Sequence, residues 1–255
     1  MFLKKTIIIC IISINCIILI NCNSATVKTK KSRTQHKCFH HSIQEERDHI
    51  FSLFVMAMTQ QDWQTDHKNG RGYNIGAILV DNKGKIINWA RNCVNATYNG
   101  TQHAEVRLVL KELTKKENKK LTNLTIYSTL EPCIQCAGML TLQNSKRVVY
   151  VQKDPTFGNT FKLLKNYPRK VNASQSCITI AKEIDDAFSE TSGNNIVEFL
   201  SSDQADKLYK KASIQLKCFS VRNKENREIL NNAMEYLNQI QASANVPVIT
   251  IQAIK

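Results

Sequence analysis

Four residues in the sequence have the types and spacing of a catalytic zinc site, namely His103, Glu105, Cys133 and Cys136. One imidazole and two thiolates form a three-ligand set, which leaves the fourth tetrahedral position of Zn²⁺ open to water. Glu105 lies two residues beyond His103, so it can share the site without binding the metal. We therefore predict that His103, Cys133 and Cys136 bind Zn²⁺ and that Glu105 transfers protons between water and substrate.

A closed structural zinc site, with another residue in the fourth position, is the alternative interpretation. The carboxylate of Glu105 argues against it, because a structural site has no use for an H-x-E arrangement between its ligands. H-x-E followed by P-C-x-x-C is the signature of zinc nucleobase deaminases. The predicted reaction is the hydrolytic deamination of an amino-substituted purine or pyrimidine ring.

The elements before His103 are predicted to be a helix and a β-hairpin. Ser42 and Glu45 match a capping box, and the apolar residues that follow recur at helical spacing, which predicts a helix over residues 43–60. An apolar run over 75–80 and a second over 85–90 flank the turn Asp-Asn-Lys-Gly, so we expect a hairpin. A polar loop then leads to His103.

The elements that carry the remaining site residues are predicted to alternate between helix and strand. We expect helices from His103 to Leu113 and from Pro132, and strands over 124–129 and 147–151. Pro132 suits the first turn of a helix, where Cys133 and Cys136 would lie one turn apart on the same face. Strand–helix–strand continuity predicts that the two strands pair in parallel.

The charge of the chain is basic and unevenly distributed. The formal net charge is +14, and residues 1–41 hold seven Lys or Arg and no Asp or Glu. Residues 42–170 hold 19 basic against 11 acidic residues, whereas 171–255 are close to neutral. This excess fits a polyanionic partner, either a nucleic acid or an anionic membrane surface. A general compositional bias toward Lys, Asn and Ile is the competing explanation.

Residues 1–25 have the pattern of a signal peptide. Lys4 and Lys5 precede an apolar run over 7–20, which is short for a membrane span, and small residues follow it. Cys22 stands where a bacterial lipoprotein would carry its lipid. We therefore expect an exported protein, periplasmic, secreted or lipid-anchored at Cys22, without a transmembrane span in the mature chain. An uncleaved N-terminal membrane anchor is the alternative.

Four cysteines lie outside both the signal segment and the predicted zinc site, namely Cys38, Cys93, Cys177 and Cys218. An even number permits two disulfides after export, and four free thiols are equally compatible with the sequence.

The order helix, hairpin, H-x-E helix, strand, P-C-x-x-C helix, strand resembles the cytidine deaminase superfamily. The likeness is strongest to its branch of tRNA adenosine deaminases and guanine or cytosine deaminases. Residues 76–80 resemble that branch's hydrophobic strand, and residues 129–139 read T-L-E-P-C-I-Q-C-A-G-M, close to its second motif. The resemblance implies a three-layer α-β-α fold with a mixed sheet of about five strands, a bound zinc ion and a homodimer.

The resemblance also implies a substrate-binding residue, Asn92. It lies 11 residues before His103, where the tRNA-acting members carry an asparagine that contacts the target base. A polar loop residue without that role is the alternative. The loop itself departs from the branch, because residues 99–102 read N-G-T-Q where those members read D-P-T-A. This departure bears directly on substrate identity.

The chain divides by pattern into four segments. Residues 1–25 form the signal segment, 26–41 a basic linker, 42–170 the zinc-dependent deaminase domain and 171–255 a mainly helical extension without likeness to the family. Helical spacing over 178–188, 203–216 and 222–240 predicts three helices in this appendage.

Several substrates are compatible with this sequence. An adenosine in RNA, as in tRNA adenosine deaminases, is favoured by Asn92 and by the basic core. Export instead favours free bases, nucleosides or nucleotides of the guanine or cytosine type, or a secreted effector that deaminates nucleic acid. A non-catalytic zinc-bearing binding module is the remaining alternative, and the intact Glu105 argues against it.

Overall fold

The computed structural model describes residues 42–115, 120–191 and 195–240. The predicted signal segment, the linker and the lipid site at Cys22 lie outside the described residues. Within those ranges, no helix combines the length and the apolar character that a membrane span requires.

The described chain forms five strands and eight α-helices. The first half contains α1 (Ile43–Gln60), β1 (Gly76–Val80), β2 (Ile86–Arg91), α2 (Ala104–Leu113), β3 (Thr125–Leu130), α3 (Ile134–Leu142) and β4 (Arg147–Gln152). The second half contains α4 (Thr160–Leu163), a 3₁₀ turn (Leu164–Asn166), β5 (Asn172–Gln175), α5 (Thr179–Ser189), α6 (Ile196–Phe199), α7 (Asp203–Lys217) and α8 (Glu225–Gln239).

The strands form one mixed sheet in the order β2-β1-β3-β4-β5. β1 pairs antiparallel with β2 and with β3, whereas β3–β4 and β4–β5 are parallel. The expectations of a hairpin, of a parallel β3–β4 pair and of about five strands in a mixed sheet are therefore confirmed.

Helices cover both faces of the sheet, as adjacent residues of β3 demonstrate. The ring of Tyr127 packs 5.1 Å from that of Phe51 in α1, while the hydroxyl of Ser128 contacts Glu105 in α2. Successive side chains of a strand point to opposite faces. α1 and α2 therefore lie on opposite sides of the sheet, and the expected three-layer arrangement is confirmed.

α1 has the bounds that its sequence pattern predicts. The side chain of Ser42 accepts a hydrogen bond from the amide of Glu45, and Glu45 returns one to the amide of Ser42, which completes the capping box. From Ile50 to Thr59 every residue is buried. This burial extends all round the helix because α1 packs between the sheet on one side and α7 and α8 on the other.

A buried carboxylate fastens α1 to the start of α8. Glu46 is fully buried and accepts hydrogen bonds from the amides of Arg222 and Asn223, at 2.7 and 3.1 Å, and from the side chain of Asn226 at 2.8 Å. Burial raises the pKa of Glu46, but these hydrogen bonds outweigh it, so the pKa lies below its ordinary value of 4.5. The ionised form therefore stabilises the folded chain.

Glu46→Ala is expected to lower the free energy of unfolding by about 2–3 kcal/mol, because it leaves the buried donor of Asn226 and two partly buried amides without an acceptor. Urea unfolding at pH 7 measures the change. The wild-type contribution should be complete above pH 4.5, and should be lost as the pH falls through the lowered pKa of Glu46. Glu235→Ala, an exposed change in α8, is the matched control and should leave stability within about 0.5 kcal/mol. Equal stability of the two variants would contradict this assignment.

Candidate active site

His103 is delivered to the site by a loop whose backbone is extensively hydrogen bonded. The guanidinium of Arg71 donates to the carbonyl of Asn92 and pairs with Asp62 at 2.8 Å. The amide of Cys93 donates to the carbonyl of Gln102 at 2.9 Å, which closes the loop just before His103. The position of the imidazole is thus fixed by the fold of residues 92–102.

The helix that follows begins one residue later than the sequence pattern predicts. His103 is the N-cap of α2 and has extended backbone angles (φ −65°, ψ 155°), so it does not belong to the first helical turn. His103 therefore precedes the first helical turn, and its imidazole makes no capping hydrogen bond within α2. This conformation places the imidazole beside the start of α3.

The cysteine helix also begins later than predicted. Cys133 is the N-cap of α3 with extended backbone angles, and Pro132 precedes it instead of lying in the first turn. The side chain of an N-cap residue reaches toward the third residue of its helix. That third residue is Cys136, so capping geometry brings the two sulfurs together and explains the C-x-x-C spacing.

His103, Cys133 and Cys136 form a compact cluster that could hold a metal ion. Nδ1 of His103 lies 3.5 Å from each sulfur, and the sulfurs lie 3.7 Å apart. Ideal tetrahedral Zn²⁺, with Zn–S of about 2.3 Å and Zn–N of about 2.0–2.1 Å, places sulfurs about 3.8 Å apart and nitrogen about 3.6 Å from sulfur. The donor types and their separations therefore both fit zinc.

The two thiols are electrostatically coupled. A hydrogen bond from Cys136 lowers the pKa of Cys133 to about 4, with His103 adding to the effect against the opposing influence of burial. The pKa of Cys136 is raised, first by that same hydrogen bond and then by burial. The pair thus shares one proton, which metal binding would displace.

Glu105 lies in the first turn of α2 and is 3% exposed. Its Oε1 accepts a hydrogen bond of 2.6 Å from Ser128, and its Oε2 lies 3.5 Å from the sulfur of Cys136. Burial raises the pKa of Glu105, while the bond from Ser128 lowers it and only partly offsets the rise. A carboxyl group with a raised pKa is suited to both taking up and releasing a proton near neutral pH.

The cluster and Glu105 open into a cavity of about 690 Å³. Its walls are mainly apolar, and the described lining includes carboxylates but neither Lys nor Arg. The lining residues are Tyr73, Ile75, Asn92, His103, Glu105, Leu130, Glu131, Cys133, Ile134, Gln135, Cys136, Asp154, Thr156, Phe157, Asn195, Ile196 and Val197.

The structure places Asn92 in this same cavity. Its Oδ1 accepts hydrogen bonds from the amides of Tyr73 and Val94, both at 3.2 Å. Its buried Nδ2 makes no hydrogen bond to any described residue. Gly72, at φ 146°, allows this close packing, because a Cβ there would lie 2.5 Å from Oδ1. The amide group is thus fixed by its oxygen, with its donor unused.

Three features of the site were not predicted from the sequence. The sequence pattern of β3 identifies Ser128 only as a residue of a buried strand. Glu131 accepts from the amides of Asp154 and Asn159, at 3.3 and 2.8 Å, and so fixes the loop after β4. Residues 195–197 come from the C-terminal extension, where a four-residue helix has too short a pattern to be found by periodicity.

The part of the extension that lines the cavity is firmly attached to the core. The side chain of Asn74 donates to the carbonyl of Leu200 at 2.9 Å, and Nδ1 of His67 lies 3.1 Å from the hydroxyl of Ser201. Leu200 itself is fully buried. The extension therefore contributes a fixed wall to the cavity.

A second cleft, of about 950 Å³, adjoins the cavity and shares Tyr73 and His103 with it. Its described lining is largely polar and includes Lys68, Asn95 and Asn99. Tyr98 stands at its edge, 99% exposed and with a backbone φ of 49°. This cleft presents amide groups, a lysine and an aromatic ring beside the metal-binding cluster.

Four cysteines outside the metal-binding cluster could form disulfides according to the sequence. Cys218 is disulfide-bonded, and Cys93 and Cys177 form no disulfide. Cys38 lies outside the described residues. Of the disulfides that the sequence permits, a bond between Cys93 and Cys177 is therefore not formed.

Residues 52–152 match the family model for the cytidine and deoxycytidylate deaminase zinc-binding region. The chain belongs to this deaminase family, because it is also 36% identical to the tRNA-specific adenosine deaminase of Buchnera aphidicola subsp. Schizaphis graminum over 115 residues. That match covers 43% of this chain and 70% of the relative.

Two further proteins are similar to this chain. The tRNA-specific adenosine deaminase 2 of Xenopus laevis is 35% identical over 99 residues, which cover 36% of this chain and 56% of the relative. The chain thus spans little more than half of that protein. A solved structure from a study of A-to-I editing by tRNA:A34 deaminases aligns with 25% identity and a TM-score of 0.38, covering 40% of this chain and 78% of that one.

Proposed function

We propose that this chain is a zinc-dependent hydrolytic deaminase of a nucleobase, and that its substrate is an adenosine or related purine in RNA. The observation that carries the proposal is the three-ligand cluster of His103, Cys133 and Cys136 with Glu105 beside it in a cavity. Three protein ligands leave a fourth position open, which is the arrangement of catalytic zinc sites. A structural site would have a fourth protein ligand within reach.

In this proposal His103, Cys133 and Cys136 would hold a zinc ion, which when bound would lower the pKa of water and so supply the nucleophile. Glu105 takes the proton from that water and passes it to the amino group, which leaves as ammonia. Asn92 donates through Nδ2, its unused donor, to an acceptor on the base. The apolar cavity wall excludes water and packs against the ring.

The negative charge of the cavity favours a substrate whose base enters the cavity while its phosphate groups remain outside. Glu105, Glu131 and Asp154 line it, and no cation of the described lining faces them. A phosphate group would be repelled there, so a free mononucleotide fits poorly. The adjoining cleft, with Lys68 and the exposed ring of Tyr98, suits the nucleotides that flank a flipped or unpaired base in RNA.

An assay panel tests this proposal. Zinc-loaded protein is incubated with adenine, guanine, cytosine, their nucleosides, their 5′-monophosphates and total tRNA, and ammonia and inosine are measured. Inosine formation in tRNA supports the RNA substrate. Turnover of a free base or nucleoside alone would contradict the RNA substrate and favour the guanine- or cytosine-type alternative. Turnover of unrelated nucleic acids would indicate an effector. No turnover with zinc bound would leave only a binding module.

We also propose that the protein is exported, which together with an RNA substrate corresponds to a secreted effector that deaminates nucleic acid. The charged and apolar pattern of residues 1–25 supports this, and so does the disulfide of Cys218, because stable disulfides are rare in the reducing cytosol. The mass of the mature N-terminus decides between cleavage, a lipid on Cys22 and an uncleaved anchor. Sedimentation of the same preparation tests the predicted homodimer.

A further inference from the structure

Ser128 occupies a position in β3 where a hydroxyl group is unexpected. Side chains of a strand alternate between its two faces, so Ser128 shares its face with Ile126 and Leu130, both of which are buried and apolar. Ser128 is fully buried. A hydroxyl in such surroundings requires a hydrogen-bond partner, and the side chain of Ser128 donates to Oε1 of Glu105 at 2.6 Å.

This hydrogen bond distinguishes the two oxygens of the Glu105 carboxylate. Oε1 is held by Ser128, whereas Oε2 lies 3.5 Å from the sulfur of Cys136 and faces the metal-binding cluster. Ser128 belongs to β3, the central strand of the five-stranded sheet, and is fully buried there. Glu105 lies in the first turn of α2, so the hydrogen bond from Ser128 reaches its carboxylate from a different element of the fold.

We propose that Ser128 is a positioning residue for deamination, which holds Oε1 of Glu105 so that Oε2 faces the cluster of His103, Cys133 and Cys136. The inference rests on the proposed function. In the proton transfer, an O–H bond of water breaks as a bond from hydrogen to Oε2 forms. The hydroxide that remains adds to the ring carbon that bears the amino group. The bond from hydrogen to Oε2 then breaks as the amino group is protonated, and the carbon–nitrogen bond breaks to release ammonia. Ser128 keeps its own proton throughout and acts only through Glu105.

Ser128→Ala is the direct test, measured on the best substrate of the assay panel. We expect kcat to fall about tenfold, because a carboxylate free to rotate spends less time in the reactive geometry. KM should change less than about twofold, since Ser128 does not line the cavity. Zinc content and the thermal unfolding midpoint should stay close to those of the wild type. Ser128→Thr keeps the hydroxyl group and should recover most of the lost kcat.

A matched control separates this role from the mere removal of a buried hydroxyl. Ser52 is buried in α1, and its hydroxyl has no hydrogen-bond partner among the described residues. Ser52→Ala should therefore retain the wild-type kcat.

Wild-type kcat in Ser128→Ala would overturn the positioning role, and so would a loss of kcat that merely follows a loss of zinc or of stability. A wild-type protein that is inactive on the whole panel with zinc bound would overturn the proposed function itself. The two failures are therefore distinguishable.

Discussion

Glu105→Gln is expected to lower kcat by about 10³-fold while zinc remains bound, because the amide cannot accept the proton of the attacking water. The side chain keeps its size and its contact with Ser128, so KM and the thermal unfolding midpoint should change little. Steady-state ammonia release measures kcat, and metal analysis of the same sample measures zinc.

The control for this change lies on the same helix. Glu112 is also a buried glutamate of α2, and it pairs with Lys115 at 2.6 Å, away from the metal-binding cluster. Glu112→Gln should therefore retain kcat, whatever it costs in stability. If Glu105→Gln turns over substrate as fast as Glu112→Gln, the proton-transfer role belongs to another residue.

Loss of the metal is expected to have the second large effect. Cys136→Ser replaces a zinc-binding thiolate by a weak ligand at the most buried position of the cluster, which is 1% exposed. We expect zinc to be lost on dialysis and kcat to fall at least about 10²-fold, since the nucleophile is no longer supplied. Chelation of the wild-type protein should give the same loss, and added Zn²⁺ should restore activity to the wild type only.

Metal loss should also reduce stability, because a ligand that binds the folded chain stabilises it by mass action. The cluster joins the starts of α2 and α3, so the thermal unfolding midpoint of zinc-free protein should fall and should rise again with added Zn²⁺. Cys177→Ser, at an exposed cysteine that forms no disulfide, is the control. A midpoint that is insensitive to zinc would contradict the assigned ligand set.

The metal-binding cluster could be predicted from the sequence because its residues lie in two short motifs. H-x-E and P-C-x-x-C each occupy the start of a helix, so local helix geometry already constrains their side chains. The two helix starts were predicted early, at His103 and Pro132, because periodicity marks where apolar residues recur but not where the backbone becomes helical. In both cases the N-cap conformation of a ligand residue decides how the ligands meet.

The bounds predicted for α1, about Ile43 to Gln60, agree with the structure, since Ser42 and Glu45 mark its start and apolar residues recur at helical spacing along its length. The role of Ser128 and the wall formed by residues 195–197 could not be predicted. Each depends on which elements pack against each other in the fold. The local sequence of β3 or α6 does not encode these contacts. Long-range packing of this kind is visible only once the strand order is known.

The burial of α1 on all sides has a consequence for how the chain is made. α1 is synthesised early, but α7, which covers its outer face, begins at Asp203, long after α1 ends at Gln60. At the usual elongation rates of about 5–20 residues per second, α1 leaves the ribosome on the order of ten seconds before its cover. A nascent chain with so apolar a helix uncovered would be a natural client for chaperones.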